Sequence, residues 1–334
     1  MPRSSSPKPR VFVTRRIPDE GLELLNAQGY DVKVYAKDQP IPRAELLRQV
    51  KGIAALLPLL TDPIDEEVIK AAGPSLKIIA NYAVGFDNID LAAAAKYHIP
   101  VTNAPAPEVS ESVAEHTIAL ILALAHRIVE SDGYARAGKY TGWSPNLFIG
   151  TDLRNKTLGI IGLGRIGYAV GRRAVHGLGM QCLYKTPHRD SAFEQECGGI
   201  FSSLEHLLET ADVISVHTPL LPTTRHLLST EEFSLMKKTA FVINTSRGPI
   251  VDEKALLRAL KTKRIAGAAL DVYECEPHLD CDVSDHLALT EFPNTILTPH
   301  TASGTIEARQ AMGKLAAQNI IAVLSGRAPL TPAK

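Results

Sequence analysis

The chain contains the stretch Thr157-Leu-Gly-Ile-Ile-Gly-Leu-Gly-Arg-Ile-Gly167, in which an apolar run leads directly into Gly162-x-Gly164-x-x-Gly167. Residues 158–161 have the continuous apolar character of a buried parallel strand, and residues 168–176 have a helical pattern. In such a strand–turn–helix unit, the first glycine permits the tight turn and the second lets a pyrophosphate approach the backbone. The third allows close packing of helix and strand. The stretch therefore predicts a dinucleotide-binding site, with the phosphates at the helix N-terminus.

Short apolar runs alternate with helical patterns on both sides of this stretch. Before it, strand-like runs lie at 11–14, 31–35, 53–57 and 76–80, with helical patterns at 21–28, 43–50 and 66–72. After it, strand-like runs recur at 180–184, 200, 213–216, 240–244, 267–272 and 295–298. Because parallel strands need helical crossovers, this rhythm predicts an α/β protein. We expect a Rossmann dinucleotide-binding domain of six strands, preceded by a smaller parallel α/β sheet of its own.

The length of 334 residues exceeds what one hydrophobic core usually supports, which predicts two domains. The proline-rich stretch Pro100-Val-Thr-Asn-Ala-Pro-Ala-Pro107 is expected to be a turn that ends the first βα segment. A long helix capped by Ser110 is expected to link the domains, and a last helix at 305–324 to leave the second sheet. The predicted boundaries are a disordered tail at 1–9, a smaller α/β domain at 10–107 and 304–334, and a cofactor-binding domain at 108–303.

Composition and charge limit the function classes. The chain has 36 basic and 36 acidic residues, so no charge excess indicates nucleic-acid or membrane binding. No apolar run reaches the ~20 residues of a membrane helix, and the polar, proline-rich residues 1–10 lack the apolar core of a secretory signal. Four cysteines without a CxxC pair predict reduced thiols: Cys182, Cys197, Cys275 and Cys281. We therefore expect a cytoplasmic protein. We expect no metal site, because the histidines show no HxxH or HExxH spacing.

Three polar islands follow predicted strands of the second domain. They are Asn244-Thr-Ser-Arg-Gly248, Leu270-Asp-Val-Tyr-Glu-Cys-Glu-Pro277 and Thr298-Pro-His-Thr-Ala-Ser303. Ligands of open α/β sheets bind outside the carboxyl ends of the strands, so Arg247, Glu276 and His300 are expected to converge there. An arginine offers a planar fork for a carboxylate, and a histidine exchanges protons near neutral pH. A carboxylate partner fixes the tautomer of an imidazole and favours its protonated form.

The three islands, in this order behind the glycine motif, make the chain similar to the D-isomer specific 2-hydroxyacid dehydrogenase family. Further stretches resemble its glyoxylate and hydroxypyruvate reductase branch: Ala83-Val-Gly-Phe-Asp-Asn-Ile-Asp90, Val113-Ala-Glu115, Gly142-Trp-Ser-Pro145, Met236-Lys-Lys238 and Arg247-Gly-Pro-Ile-Val-Asp-Glu253. The likeness covers about residues 10 to 330. It implies that the smaller α/β domain, at 10–107 and 304–334, is a flavodoxin-like substrate-binding domain. It also implies a homodimer that reduces a small 2-keto acid, such as glyoxylate or hydroxypyruvate, to the D-2-hydroxy acid by hydride transfer from NAD(P)H.

The resemblance also implies a role for each site residue. His300 would give the proton to the substrate or take it, and Glu276 would support His300. Arg247 would bind the substrate carboxylate and polarise the keto group. The backbone amides of Val84 and Gly85 would grip that carboxylate. Trp143 would reach into the partner subunit's pocket; an ordinary packed aromatic is the alternative. The motif glycines Gly162, Gly164 and Gly167 are expected at the pyrophosphate, and the resemblance places Leu163, Arg165 and Ile166 there as well. It places Thr218 and Pro219 beside the adenine side and Thr245 near the nicotinamide, and Ser246 is a further candidate cofactor contact. Asp271 would contact the carboxamide of the nicotinamide; a strand-end cap is the alternative for this residue.

The end of the second strand after the glycine motif indicates the type of dinucleotide. An NAD enzyme typically has Asp or Glu there, ~20 residues past the glycines, to bind the ribose 2′-hydroxyl. Here the segment reads Leu183-Tyr-Lys-Thr-Pro-His-Arg189, with no acid before Asp190. A 2′-phosphate would instead meet Lys185, Thr186, His188 and Arg189, which favours NADP. NADP-using relatives usually carry arginine where this chain has Pro187, so use of NAD stays open.

Three other functions stay open. One is a dinucleotide-sensing scaffold, like the transcriptional corepressors that resemble this family. The second is a phosphonate dehydrogenase-like oxidation of phosphite, although those enzymes place a lysine where this chain has Val84. The third is 2-ketogluconate reduction; Leu57-Pro-Leu-Leu60 and Trp143 indicate instead a compact, apolar-walled pocket that suits glyoxylate or hydroxypyruvate.

Overall fold

A computed structural model describes residues 8–276 and 288–333 of the chain. Residues 1–7 of the expected tail, Pro277 and Cys281 lie outside this part. The chain forms two compact units, of which unit 1 combines residues 1–109 with 304–334 and unit 2 comprises residues 110–303. Unit 1 is therefore built from two separate stretches of sequence.

Unit 1 contains a parallel sheet in the order β2-β1-β3-β4-β5, which is the flavodoxin-like order. Its strands are β1 (Arg10–Val13), β2 (Asp31–Val34), β3 (Ala55–Leu57), β4 (Ile78–Ala80) and β5 (Val101–Thr102). Its helices are α1 (Asp19–Ala27), α2 (Arg43–Gln49), α3 (Glu66–Ala72), α4 (Leu91–Lys96) and the last helix of the chain, α12 (Ile306–Leu324). The predicted flavodoxin-like class is confirmed.

The proline-rich segment differs from the predicted turn. It contains β5, which pairs in parallel with β4, and its last residue, Pro107, begins the helix α5 (Pro107–Ala125). Ser110 therefore lies inside α5 rather than at its N-cap. Proline suits the first helical position because its fixed φ is already helical and its missing N–H would have had no partner there.

Unit 2 contains a parallel sheet in the order β8-β7-β6-β9-β10-β11-β12. Its strands are β6 (Thr157–Ile161), β7 (Gln181–Lys185), β8 (Ile200–Phe201), β9 (Val213–Val216), β10 (Phe241–Asn244), β11 (Gly267–Leu270) and β12 (Thr295–Leu297). The predicted Rossmann class is confirmed, but the expected number of six strands was wrong. All seven strand-like runs of this domain, from 158–161 to 295–298, form strands, and the last of them, β12, pairs in parallel with β11 at the edge of the sheet. The strand order reverses at β6, so the switch point lies between β6 and β9.

Most of α5 belongs to unit 2. The other α-helices of this unit are α6 (Ile128–Arg136), α7 (Arg165–Leu178), α8 (Ser191–Cys197), α9 (Leu204–Thr210), α10 (Thr230–Leu235) and α11 (Glu253–Lys261). In the part of the chain that the structure describes, no single helix is long and apolar enough to cross a membrane. The pair α5 and α6, bent by 66° at its break, passes that test by length and composition only.

The cysteines differ in part from the expected reduced thiols. Cys182 and Cys197 are free and buried, and desolvation raises the pKa of the Cys182 thiol to about 12. Cys275 is disulfide-bonded, so the expectation was wrong for this residue. Spacing along the chain does not decide which thiols meet in space, because a disulfide needs only suitable Cα and Cβ separations.

Candidate active site

The three glycines of the β6–α7 turn occupy three different environments. Gly162 has a φ of +96°, and a Cβ there would lie 2.6 Å from the backbone nitrogen of Thr218. A Cβ on Gly167 would lie 2.3 Å from the carbonyl oxygen of Gly162. At Gly164, by contrast, the position of a Cβ has no atom within 4 Å. The turn therefore leaves open space at the middle glycine, where a pyrophosphate fits.

The first turn of α7 faces that space without a side-chain cap. Gly164 is the N-cap of α7 and has no side chain to accept from the first amides of the helix. An uncapped helix N-terminus offers N–H groups and a positive dipole end to an anion. Leu163 and Ile166 pack partly against the core of unit 2 and hold the turn in place. These features fit a dinucleotide.

The polar island after β10 is held by the side chain of Asn244. Its Oδ1 accepts from the amide of Ser246 at 3.0 Å, and its Nδ2 donates to the carbonyl of Arg247 at 2.9 Å. A Cβ on Gly248 would lie only 1.8 Å from the carbonyl oxygen of Tyr273. Arg247 is therefore fixed beside the segment that leads to Glu276. Its Nη1 donates to the carbonyl of Ser246 at 2.8 Å.

The structure brings His300 and Glu276 together. Nδ1 of His300 lies 2.7 Å from Oε2 of Glu276, and the two side chains are 28% and 27% exposed. This contact engages Nδ1 with a carboxylate, which leaves Nε2 for a second partner. β10, β11 and β12 are neighbours in one parallel sheet, so Arg247, Glu276 and His300 all follow its carboxyl edge. The arrangement suits proton exchange with a carbonyl or alcohol oxygen.

The backbone at His300 is held in a left-handed conformation, with a φ of +54°. Asp271, which is fully buried, fixes this loop through both its carboxylate and its carbonyl. The carboxylate accepts from the amides of Thr301 and Ala302 at 2.8 Å each, and from the hydroxyl of Thr298 at 2.6 Å. Its carbonyl accepts from the amide of His300 at 2.9 Å. These are the contacts of a strand-end cap, and the role of Asp271 at the carboxamide stays a prediction.

Two residues of α5 that the sequence analysis did not assign also contact this region. Nε2 of His116 lies 3.2 Å from the hydroxyl of Thr298, and the hydroxyl of Thr117 lies 3.1 Å from that of Thr245. The sequence could have indicated these two residues, because they come directly after the Val113-Ala-Glu115 stretch.

No group of three or more His, Cys, Asp or Glu side chains within residues 8–276 and 288–333 is arranged to hold a metal ion.

The contacts on the adenine side involve the loop after β9. The hydroxyl of Ser246 donates to the carbonyl of Thr218, which ties that loop to the one that carries Arg247. Thr218 is half-buried and Pro219 is exposed. The roles of these residues towards a cofactor stay predictions.

The strand end after β7 contains an ion pair that the sequence analysis missed. Arg189 donates from Nε and Nη2 to the carboxylate of Glu194, at 3.0 and 2.8 Å. Hydrogen bonds from Arg189 and then from Tyr184 lower the pKa of the Glu194 carboxyl. Thr186 is half-buried and His188 is exposed, while Nζ of Lys185 lies 5.7 Å from the ring centre of Phe201. Of the predicted basic side chains, Arg189 is therefore already engaged by a carboxylate.

In unit 1, the residues predicted to grip a carboxylate lie in the turn after β4. Val84 and Gly85 are half-buried there.

In unit 2, Trp143 is 83% exposed, so it is not an aromatic packed within its own chain.

Comparison with known proteins decides the family. The model of the D-isomer specific 2-hydroxyacid dehydrogenase, NAD binding domain, matches residues 118–302. The chain belongs to the D-isomer specific 2-hydroxyacid dehydrogenase family. It is therefore an NAD(P)-dependent oxidoreductase with a nicotinamide dinucleotide cofactor, and the predicted family is confirmed.

Individual relatives agree with this membership along nearly the whole chain. The glyoxylate reductase of Thermofilum pendens is 47% identical over 325 residues, which cover 96% of this chain and 93% of the relative. A solved protein of Thermus thermophilus has a TM-score of 0.89 and 42% identity, with 97% of this chain and all of that chain covered. The NADPH-dependent glyoxylate/hydroxypyruvate reductase of Sinorhizobium meliloti has a TM-score of 0.81 and 30% identity, with 98% of each chain covered.

Proposed function

We propose that this enzyme reduces a small 2-keto acid, glyoxylate or hydroxypyruvate, to the D-2-hydroxy acid, with His300 as the proton donor. The single observation that carries the proposal is the 2.7 Å contact between His300 and Glu276 at the carboxyl edge of a dinucleotide-binding sheet. The relatives named glyoxylate reductase support the substrate class. Unit 2 binds the cofactor in this proposal, and unit 1 binds the substrate.

Reduction of a carbonyl requires a hydride at carbon and a proton at oxygen. The nicotinamide dinucleotide, when bound, supplies the hydride. Nε2 of His300 delivers the proton, because Nδ1 is held by Glu276. The Glu276 carboxylate stabilises the charged imidazole before the transfer, and the guanidinium of Arg247 pairs with the substrate carboxylate.

A panel of substrates tests the proposal. Initial rates with glyoxylate, hydroxypyruvate, 2-ketogluconate and pyruvate should be measured with NADPH and with NADH, and we expect glyoxylate or hydroxypyruvate to give the highest kcat/KM. Oxidation of phosphite with NADP⁺ or NAD⁺ should be absent. Dinucleotide binding without turnover of any keto acid would contradict the proposal and favour the scaffold function.

NADP is the proposed cofactor, because the strand end has no acid before Asp190. The S. meliloti relative, whose name states NADPH dependence, supports this choice. The pairing of Arg189 with Glu194 does not exclude it, because the Arg189 side chain is 69% exposed and a 2′-phosphate competes for the same guanidinium. Glu194 then acts as a competitor that limits the preference for NADP.

We expect kcat/KM with NADPH to exceed that with NADH by about ten-fold or more. Arg189→Ala should remove much of this ratio, whereas Glu194→Gln should increase it because the competing carboxylate charge is lost. Arg258→Ala is the control, since Arg258 is an exposed arginine of α11 whose Nη2 donates to Thr230. Steady-state kinetics with both cofactors measures the ratio. A parent that prefers NADH would contradict the proposed phosphate site, and an unchanged ratio in Arg189→Ala would exclude a role for Arg189.

A homodimer is the proposed assembly. Large apolar side chains are exposed along one segment of unit 2: Ile128, Val129, Tyr140, Trp143, Leu147 and Ile149. A cavity of about 450 Å³ adjoins this segment and is lined in part by Val129, Ile149 and Phe241. Clustered exposed apolar surface of this kind is typical of a protein interface.

Sedimentation equilibrium should give twice the mass of one chain, and Trp143→Ala should weaken the association. A parent protein that stays monomeric at micromolar concentration would contradict the proposed homodimer.

A further inference from the structure

Two asparagine side chains hold the turn that carries the proposed carboxylate-binding amides. Nδ2 of Asn103 donates to the carbonyl of Val84 at 2.6 Å, and Nδ2 of Asn81 donates to the carbonyl of Gly85 at 2.9 Å. The amides of Val84 and Gly85 donate to no acceptor within residues 8–276 and 288–333. Both carbonyls are thus occupied by the protein, while both amides remain available to an anion.

Asn103 is itself held by the C-terminal segment. The backbone amide of Asn103 donates to the carbonyl of Thr331 at 3.2 Å, and the backbone carbonyl of Asn103 accepts from the hydroxyl of Thr331 at 2.6 Å. Two residues further on, the amide of Ala333 donates to the carbonyl of Val101 at 2.9 Å. Residues 331–333 therefore run along β5, directly beside the residue that fixes Val84.

A buried asparagine of α12 keeps this segment in place. Asn319 is fully buried, and its Oδ1 accepts from the amides of Leu330 and Thr331 at 2.9 and 3.1 Å. Its Nδ2 donates to the hydroxyl of Thr331 at 2.8 Å. Because a buried amide is unfavourable without hydrogen bonds, these contacts bind the segment tightly. The Thr331 hydroxyl thus links α12 to Asn103 by accepting from one and donating to the other.

We infer that residues 330–333 position the substrate-binding turn, with Thr331 and Asn103 acting through the carbonyl of Val84. This inference rests on the proposed function, since it assumes that the amides of Val84 and Gly85 bind the substrate carboxylate. Thr331 and Asn103 are positioning residues and do not touch the substrate. Their loss should weaken substrate binding without affecting the dinucleotide, because all their contacts described above lie within unit 1.

The test is Thr331→Val, which keeps the shape of the side chain and removes its hydroxyl. We expect KM for glyoxylate to rise about five-fold, with kcat changed less than about two-fold and the Kd for NADPH unchanged. The inhibition constant of oxalate, a non-reducible dicarboxylate, should rise in parallel with KM. Thr331→Ser keeps the hydroxyl and should restore the parent values. Ser325→Ala is the matched control, because the exposed Ser325 hydroxyl at the end of α12 donates to the carbonyl of Ile321 in the preceding turn.

Two results would overturn the inference. One is a parent-like KM in Thr331→Val. The other is a fall in kcat and in thermal stability together with a rise in KM, none of which Thr331→Ser reverses. If Thr331→Val does not fold, Asn103→Ala provides the same test, since it removes the contact with the carbonyl of Val84. Failure of the proposed function is distinguishable, because the parent would then turn over no keto acid.

Discussion

His300→Ala is expected to reduce kcat with glyoxylate by ~10²-fold or more, while the Kd for NADPH stays at the parent value. The imidazole is the proposed proton donor, and its orientation depends on the contact with Glu276. The glycine turn that holds the dinucleotide does not depend on this side chain. Single-turnover measurements of NADPH oxidation report the chemical step, and a fluorescence titration reports cofactor binding.

The conformation of His300 requires a control for strain. With a φ of +54°, an alanine there also carries a backbone cost that has no connection with proton transfer. His300→Asn is a second variant, because asparagine tolerates the left-handed region. Lys263→Ala is the matched control, since Lys263 has the same φ of +54° in the segment after α11. Parent-like turnover in both His300 variants would exclude the proton-donor role, and loss of NADPH binding would indicate a structural one.

Arg247→Lys is expected to raise KM for glyoxylate by about ten-fold or more and to lower kcat as well. An ammonium group cannot reproduce the two parallel hydrogen bonds of a guanidinium with a carboxylate. The neighbouring backbone cannot move to compensate, because Gly248 packs directly against the carbonyl of Tyr273. Both effects follow if Arg247 binds the carboxylate and polarises the keto group.

Steady-state kinetics with glyoxylate and a binding titration with NADPH check this prediction. Arg264→Lys is the control, since Arg264 also donates to a backbone carbonyl, that of Ser234, but on an exposed surface. Unchanged kinetics in Arg247→Lys would exclude substrate contact by Arg247. A loss of NADPH affinity at constant KM would assign the residue to the cofactor instead.

The features that the sequence predicted best are those that depend on a single residue type at a fixed position. Glycine is required at Gly162 by its positive φ and at Gly167 by the close approach of the Gly162 carbonyl, so the motif alone predicts the turn. The parallel sheets also follow from short apolar runs that alternate with helical patterns, because parallel strands need helical crossovers. The helix start at Pro107 could not be read from composition, since proline permits both a turn and a first helical turn.

Pairings between distant side chains were harder to predict. The segment after β11 contains two glutamates, and the structure pairs Glu274 with His226 at 2.5 Å and Glu276 with His300. Spacing alone does not separate these two pairs. The position of Glu276 after a predicted strand made it a candidate, and the family resemblance assigned it to His300. The pairing of Arg189 with Glu194 depends on how the loop before α8 turns, which charge patterning along the chain does not reveal.

The division of unit 1 into residues 1–109 and 304–334 has a consequence for synthesis on the ribosome. Unit 2 is continuous in sequence and can complete its core as soon as β12 has emerged. Unit 1 must wait for α12, roughly 200 residues after its own sheet has been made, a delay of about 10 to 40 seconds at typical translation rates. During that interval, the apolar surface of the unit 1 sheet that α12 later covers stays exposed to chaperones.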